Sequence, residues 1–348
     1  MQSDSKRIAF LDITKCFAIF CVILGHVIQQ TFPGDPYHDS WLFQFIYSFH
    51  MPLFMVVSGY FMEKAFAMSP LYFLKRRSIQ LLLPTLTFSI LFILFHNIIY
   101  TRFTDKDSIN FFAYLSGGWM WFLKYLFICA VIAYASKKIF RNDILAASLP
   151  TILLIILTRT TIFRLLPFLW LGYFLHKYND RLFRRPLVPL IGSLIFFIFF
   201  LIFWKGDYDA AYRIIFFKDA VRFDMQNFII TLIRLGVGAA GSIFFIALFK
   251  ILLERIKGGK LLQLCSETGR NTLGIYCIQI YLLEFGLEHI AFRFNFPGAV
   301  VAQLVYAIIV LILCDALVRL VNKNKWTALF MLCLLYTSDA ADDLTRVD

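Results

Sequence analysis

The strongest constraint on the fold is the recurrence of apolar runs long enough to cross a membrane. A transmembrane helix needs about 20 mostly apolar residues, and 60% of the 348 residues are hydrophobic. We count ten such runs, at residues 9–29, 41–62, 79–100, 119–136, 143–158, 162–176, 187–204, 226–252, 271–292 and 298–320. The fifth and sixth are short and are interrupted by Arg159 and Arg164. The sequence therefore predicts an all-α fold, a polytopic transmembrane helix bundle of about ten spans.

The orientation of the chain follows from its Lys and Arg residues, which collect in cytoplasmic loops. With the N-terminus inside, residues 31–40 of the outer side hold no basic residue and residues 101–118 hold two, whereas the loop at 205–225 holds four. We therefore expect a cytoplasmic N-terminus, with the last loop as an exception. This topology and anionic lipid headgroups account for the net charge of +12. Membrane lipids are expected partners, and nucleic acid is not.

One integral membrane domain is predicted over residues 1–325. Residues 326–336 are apolar but too short to span, and the composition changes abruptly over 337–348. We interpret 326–348 as a short apolar stretch and an atypical polar tail that lie outside the fold. The first span is too long and too polar for a cleaved signal peptide.

The first span carries three ionisable residues, Asp12, Lys15 and His26. At about 100° per residue, the eleven steps from Lys15 to His26 return to within about 20° of the same helix face, and Asp12 lies one turn before Lys15. Ionisable groups at membrane depth that meet neither partners nor water cost on the order of 3 kcal/mol each. This polar stripe (Asp12, Lys15 and His26) predicts a functional interior face. His26 is a candidate general base; the alternative is a histidine that only makes an interhelical hydrogen bond.

A second histidine, His50, lies in the second span within SFHMPLFMVVSGYF (48–61). Pro52 follows it and interrupts the helical hydrogen-bond ladder, which frees backbone polar groups there. Two histidines on consecutive antiparallel spans are able to converge, although simple counting places His26 nearer the outer face than His50. Whether His26 and His50 meet in the folded chain is left open at this point.

A basic cluster, Lys75–Arg77, precedes the third span. Arginine binds phosphate with two parallel hydrogen bonds, so Arg76 and Arg77 are candidates to bind the phosphates of a cytoplasmic donor, and Arg270 is a third. The alternative is a cluster that only anchors the topology.

Several other patterns carry no function. GVGAAG (236–241) fits a dinucleotide-binding pattern but lies in a hydrophobic helix, where small residues serve helix packing. The seven cysteines show no metal-ligand spacing, so no metal site is predicted.

In its motifs, the chain resembles the acyltransferase family 3 membrane proteins, bacterial O-acyltransferases that modify surface and secreted glycans. The resemblance covers nearly all of residues 6–320. Its strongest motifs follow in order: Leu11 and Asp12 before Lys15, ten residues and His26; FHMPLF (49–54) and SGYF (58–61); Lys75–Arg77 before Pro84; WFL (121–123); LGYF (171–174); and GRNTLGIYCIQ (269–279). Three positions depart from the family pattern. Lys15 stands where many relatives have Arg, Gln80 where a further Arg is expected, and Gln279 where relatives often have His.

This resemblance implies transfer of an acyl group, most often acetyl from acetyl-CoA, to a sugar hydroxyl of a glycan or lipid-linked saccharide. It implies a multi-pass protein of the bacterial cytoplasmic membrane with an acyl-CoA co-substrate and no permanently bound cofactor. His26 would act as base or acyl relay with His50 assisting, Arg76, Arg77 and Arg270 would bind CoA phosphates, and Lys15 with Asp12 would order the polar stripe. The alternatives are a transporter or glycan exporter, and a structural membrane subunit without chemistry.

Overall fold

The structure is a computed structural model that describes residues 2–31, 36–101, 108–112, 114, 120–157, 161–205, 215–217, 221–256, 259–283 and 299–323. All helices, strands and contacts given for the protein lie within these ranges. The end of the ninth predicted span, Arg159 and the tail at 326–348 lie outside them.

Helices account for most of the described chain. They are α1 (Gln2–Thr31), α2 (Trp41–Tyr60), α3 (Met62–Ala67), α4 (Pro70–Arg77), α5 (Leu83–Phe95), α6 (Trp121–Ile139), α7 (Asp143–Leu157), α8 (Thr161–Lys177), α9 (Asn179–Leu182), α10 (Leu187–Phe203), α11 (Met225–Arg255), α12 (Lys260–Arg270), α13 (Thr272–Tyr281) and α14 (Ala299–Asn322). Side-chain caps begin two of them: Ser40 accepts a hydrogen bond from the Phe43 amide before α2, and Asp224 accepts one from the Asn227 amide before α11.

Within the part of the chain that the structure describes, five helical segments are long and apolar enough to cross a membrane: Ala9–Thr31, Trp41–Tyr60, Pro70–Ile98, Met225–Arg255 and Ala299–Asn322. Helices also occupy the other five predicted positions, but Asp143–Ile155, Leu187–Phe203 and Thr272–Tyr281 are apolar segments shorter than 18 residues. The helical class is thus confirmed. The number of ten spans and the cytoplasmic N-terminus stay predictions.

The third helical segment corrects one expectation. The basic cluster Lys75–Arg77 was predicted to precede the span, yet it lies within continuous helix from Pro70 to Ile98. Wider π-helical turns at Ser78–Leu82 and His96–Tyr100 flank α5. The cluster therefore belongs to the helix rather than to a loop.

A short hairpin is the exception to the helical fold among the described residues. Strands β1 (Ile215–Phe217) and β2 (Val221–Phe223) pair antiparallel, with Ile215 opposite Phe223. They lie in the 205–225 segment that the sequence analysis treated as a loop.

The chain divides into two compact units. Unit 1 comprises Met1–Gly25, Gly34–Ala67 and Cys129–Arg270. Unit 2 comprises His26–Pro33, Met68–Ile128 and Asn271–Asp348.

In unit 1, α2 and α8 touch through their backbones. A β-carbon added to Gly59 would stand 1.9 Å from the Leu169 carbonyl oxygen, and one added to Gly172 would stand 2.0 Å from the Val56 carbonyl oxygen. Only glycine permits this approach at either position. The two glycines come from the SGYF and LGYF motifs, so small residues in both serve helix contact, as in other membrane helices.

The small residues of GVGAAG also pack, as predicted. A β-carbon on Gly238 would stand 2.8 Å from both Phe168 and Pro52, and one on Gly241 would stand 2.7 Å from Phe49. Phe49 and Phe245 lie 4.4 Å apart between ring centroids. Aromatic rings therefore fill the space that these glycines leave open.

An ionic cluster joins three helices at one end of unit 1. Asp143 binds Lys137 and Lys177 and accepts a 2.8 Å hydrogen bond from the Tyr173 hydroxyl. The hydrogen bond to Asp143 raises the pKa of Lys177, which follows the sixth predicted span. We assign this cluster a structural role, because its ion pairs and hydrogen bond join three helices.

Unit 2 is held by polar contacts between α5, α13 and the segment that follows α5. The Tyr281 hydroxyl donates a 2.6 Å hydrogen bond to the Phe88 carbonyl. The Asn97 side chain both donates to the Ile109 carbonyl and accepts from the Ile109 amide, at 3.0 and 2.8 Å.

Candidate active site

Asp12 and Lys15 form an ion pair within α1. The Lys15 ammonium lies 2.6 Å from an Asp12 carboxylate oxygen, and the Asp12 and Lys15 side chains are 8% and 24% exposed. The opposite charges offset the cost of placing each group at membrane depth. The two residues were placed one turn apart on the polar stripe, and α1 is the continuous helix that this stripe requires.

The GRNTLGIYCIQ motif meets α1 at this ion pair. A β-carbon on Gly269 would stand 1.8 Å from the Asp12 carbonyl oxygen, so the end of α12 lies directly against the α1 backbone. Arg270, the next residue, is exposed at the last position of α12. Within unit 1, the structure thus brings the segment carrying Arg270 to the Asp12–Lys15 pair.

His26 lies half-buried near the end of α1. Its Nδ1 atom is 2.9 Å from the Gln29 side-chain oxygen, one turn further along the helix. With the Gln29 oxygen as the acceptor, Nδ1 is the donor, and in the neutral imidazole the lone pair is then on Nε2. That is the imidazole form that a general base needs.

The helix end that carries His26 is anchored in unit 2. The Gln303 amide of α14 donates a 3.0 Å hydrogen bond to the Thr31 hydroxyl, which itself donates to the Val27 carbonyl at 2.7 Å. Thr31 and Gln303 are 3% and 4% exposed. Gln303 was not predicted from the sequence, because a single polar residue in an apolar helix does not reveal its partner.

His50 is buried in α2, with 5% of its surface exposed. Its Nδ1 atom lies 2.8 Å from the Ile46 carbonyl oxygen, and its ring lies 4.7 Å from the Tyr47 ring. Nδ1 therefore donates to its own helix and Nε2 carries the lone pair. His26 belongs to unit 2 and His50 to unit 1, so their convergence stays a prediction.

Arg76 and Arg77 end α4 and enter the π-helical turn at Ser78–Leu82. Arg76 is 6% exposed, and the Arg77 guanidinium donates to the Gln80 side-chain oxygen at 3.4 Å. Gln80 is the position where the family pattern expects a further arginine. π-Helical turns occur frequently at functional sites, and the binding role of this cluster stays a prediction beside the alternative of a topology anchor. Arg76 and Arg77 belong to unit 2 and Arg270 to unit 1. Binding of the same acyl-CoA molecule by all three arginines therefore also stays a prediction.

A second polar cluster in unit 2 was not predicted from the sequence. The Asn271 amide donates to one oxygen of Asp315 at 2.8 Å, and the Arg319 guanidinium donates to the other at 2.8 Å. Asp315 is 7% exposed within the apolar helix α14. The cluster fixes Asn271, the residue that immediately follows Arg270.

Two further buried polar residues stand out. Gln279 is 1% exposed, and its side-chain oxygen accepts no hydrogen bond from the described residues. Arg164 is 2% exposed near the start of α8; the sequence analysis noted it only as an interruption of the sixth span. Buried polar groups in membrane helices are candidates for substrate contact.

Comparison with known proteins decides the family. The family model described as an acyltransferase domain, that of acyltransferase family 3, matches residues 8–319. The chain belongs to acyltransferase family 3. The sequence-based expectation of an acyltransferase is thereby confirmed at the level of the family, and together with the apolar helices it identifies a multi-pass membrane protein.

Curated relatives match over a shorter segment. The nodulation protein NolL of Mesorhizobium japonicum (strain LMG 29417 / CECT 9101 / MAFF 303099) is 37% identical over 91 residues, which are 24% of this chain and 23% of the relative. The nodulation protein NolL of Sinorhizobium fredii (strain NBRC 101917 / NGR234) is 35% identical over 92 residues, 24% of each chain. The matched segment thus spans about a quarter of each relative. No solved structure matches.

Proposed function

We propose that this family 3 protein is a membrane O-acyltransferase that moves an acyl group, in the simplest case acetyl from acetyl-CoA, to a sugar hydroxyl of a cell-surface or exported glycan. The thioester C–S bond breaks and an ester C–O bond forms. The hydroxyl proton leaves through a base, and CoA departs as a thiol. The bacterial cytoplasmic membrane is the proposed location, since such a membrane separates a cytoplasmic donor from an outward-facing acceptor.

The observation that carries the proposal is the hydrogen bond between His26 and Gln29 in a helix that also holds the Asp12–Lys15 pair. A neutral imidazole with its lone pair on Nε2 can accept the proton of a hydroxyl as the oxygen attacks the thioester carbon. Three turns of helix, about 16 Å at ~1.5 Å per residue, separate Lys15 from His26. The polar stripe therefore places polar groups at two depths in the membrane. This suits a reaction in which the acyl-CoA donor approaches from the cytoplasm and the saccharide from the outer side.

The remaining candidate residues have supporting roles in this proposal. Arg76, Arg77 and Arg270 bind the phosphates of the acyl-CoA donor, because guanidinium groups form paired hydrogen bonds with phosphate. His50, with Nδ1 bonded to its own helix, assists His26. The Asp12–Lys15 pair keeps α1 in register with the Gly269–Arg270 segment.

Acyl transfer can be tested directly with the purified full chain in proteoliposomes. Radiolabelled acetyl-CoA and a panel of methyl glycosides and lipid-linked oligosaccharides are supplied, and release of CoA thiol is measured together with label on the saccharide. We expect both products in equal amount from the wild type and neither from His26→Ala. His38→Gln, which changes a histidine outside the proposed site, serves as the matched control.

The folded state of His26→Ala is checked by its melting temperature and gel-filtration profile. Saccharide that crosses the bilayer without consumption of acetyl-CoA would overturn the proposal in favour of an exporter. Full thiol release by a folded His26→Ala protein would remove His26 from the chemistry.

A further inference from the structure

A cleft opens in unit 1 between the start of α10 and the end of α11. It has a volume of about 250 Å³ and is lined by Arg185, Pro186, Leu187, Ile251, Glu254 and Arg255. Neither the polar stripe nor the donor-binding candidates contribute to it. It lies where two apolar helices end in charged residues, which is typical of the boundary between lipid tails and water.

The charged residues of the cleft are exposed and point to a ligand with both signs of charge. Arg185, Arg255 and Glu254 are all exposed, and among the described residues no ion pair within 4.0 Å joins Glu254 to either arginine. The cleft therefore presents two cations and one carboxylate around an opening with apolar walls.

An apolar stripe leaves the cleft along α10. Leu187, Ile191 and Ile195 occur every four residues and are 50%, 53% and 61% exposed. The eight helical steps from Leu187 to Ile195 cover about 12 Å at ~1.5 Å per residue, close to the ~15 Å depth of one leaflet. An acyl chain can follow this stripe while its headgroup stays at the cleft.

We propose that the cleft binds a phospholipid with a primary-amine headgroup, phosphatidylethanolamine. Arg185 and Arg255 bind its phosphate, Glu254 accepts hydrogen bonds from its ammonium group, and one acyl chain lies along Leu187, Ile191 and Ile195. Phosphatidylcholine offers the phosphate but no N–H donor for Glu254. Phosphatidylglycerol offers the phosphate but no positive group beside the carboxylate. Glu254 thus discriminates among lipids whose phosphates the arginines alone would all bind.

Lipid titration of the detergent-purified full chain, followed by native mass spectrometry, tests this site. Phosphatidylethanolamine, phosphatidylglycerol and phosphatidylcholine with identical acyl chains are compared for binding of the first lipid. Because exposed ion pairs are weak, we expect the wild type to prefer phosphatidylethanolamine by about two- to fivefold. Glu254→Gln should abolish this preference, and Arg185→Gln with Arg255→Gln should weaken binding of all three lipids.

Arg184→Gln is the matched control, since Arg184 is exposed beside the cleft but does not line it; it should behave as the wild type. Two results would overturn the site. One is an unchanged preference for phosphatidylethanolamine in Glu254→Gln. The other is tighter binding of phosphatidylglycerol than of phosphatidylethanolamine by the wild type. Neither result bears on acyl transfer, because the cleft contains no candidate catalytic residue.

Discussion

Gly269 lies against Asp12 so closely that a β-carbon on residue 269 would stand 1.8 Å from the Asp12 carbonyl oxygen. The contact is between two backbones, so neither partner can move aside without shifting a helix. It joins the motif that begins at Gly269 to the ion pair of α1, although the two lie more than 250 residues apart in the chain. The closeness of this contact depends on the absence of a side chain at residue 269.

Gly269→Ala is accordingly expected to displace α12 from α1. Overpacking of this kind costs about 1–3 kcal/mol, so the melting temperature should fall and acyl transfer should be lost or strongly reduced. Thermal unfolding and thiol release measure the two effects. Gly192→Ala is the matched control, because nothing lies within 4 Å of a β-carbon there. Wild-type stability and activity in Gly269→Ala would contradict the close contact.

Gln29→Leu tests the orientation of His26. The change removes the acceptor 2.9 Å from Nδ1, so the imidazole loses the bond that holds its proton on that atom. We expect kcat to fall by roughly 10- to 100-fold, as for other weakened general bases, while KM for acetyl-CoA changes little. Gln30→Leu, at the next residue, should retain wild-type kcat. Equal kcat values for the two variants would show that Gln29 does not orient the base.

Asn271→Leu tests whether the Asp315 cluster positions the donor site. Loss of the 2.8 Å bond to Asp315 frees the turn after Arg270, and KM for acetyl-CoA should rise by about three- to tenfold, as for the indirect loss of about 0.7–1.4 kcal/mol of binding free energy. Asp315→Asn keeps an oxygen that can accept from Asn271, so it should retain most of the donor affinity. A lowered kcat with unchanged KM in Asn271→Leu would contradict a positioning role in donor binding.

Gln279→Leu tests whether the buried Gln279 side chain serves stability or contacts a substrate. An unsatisfied buried amide oxygen costs about 1–3 kcal/mol, so its replacement by an apolar side chain of similar size should leave the melting temperature unchanged or raise it. If Gln279 contacts a substrate, the same change should raise KM for the saccharide or for acetyl-CoA. A raised melting temperature with both KM values unchanged would place Gln279 outside the site.

Helix positions were largely predictable from the sequence, and helix ends were not. Apolar runs coincide with helices because backbone polar groups in an apolar setting must bond within the helix. Lys75–Arg77 was placed before the third span because charged residues usually end a span, yet the helix that contains them continues into α5. Burial of Arg76 depends on the neighbours it meets in the folded chain, which local composition does not contain.

In the candidate site too, some contacts were predictable from the sequence and others were not. Asp12 and Lys15 are three residues apart, so a single helix suffices to pair them, and the spacing predicts it. Asn271 bonds Asp315 across 44 residues and Thr31 bonds Gln303 across 272. No local pattern distinguishes these pairs from other polar residues in apolar helices.

By itself, the sequence determined that the chain is helical, that it is membrane-embedded and that it carries the ordered motifs of acyltransferase family 3. These properties depend on hydrophobicity and short-range spacing, which act along one helix at a time. The tertiary structure alone decided which polar groups meet: Gly269 at Asp12, Asn271 at Asp315 and Gln303 at Thr31. Such contacts arise only when separate helices pack, because a polar group placed in an apolar interior takes whichever partner the packing brings within hydrogen-bond distance.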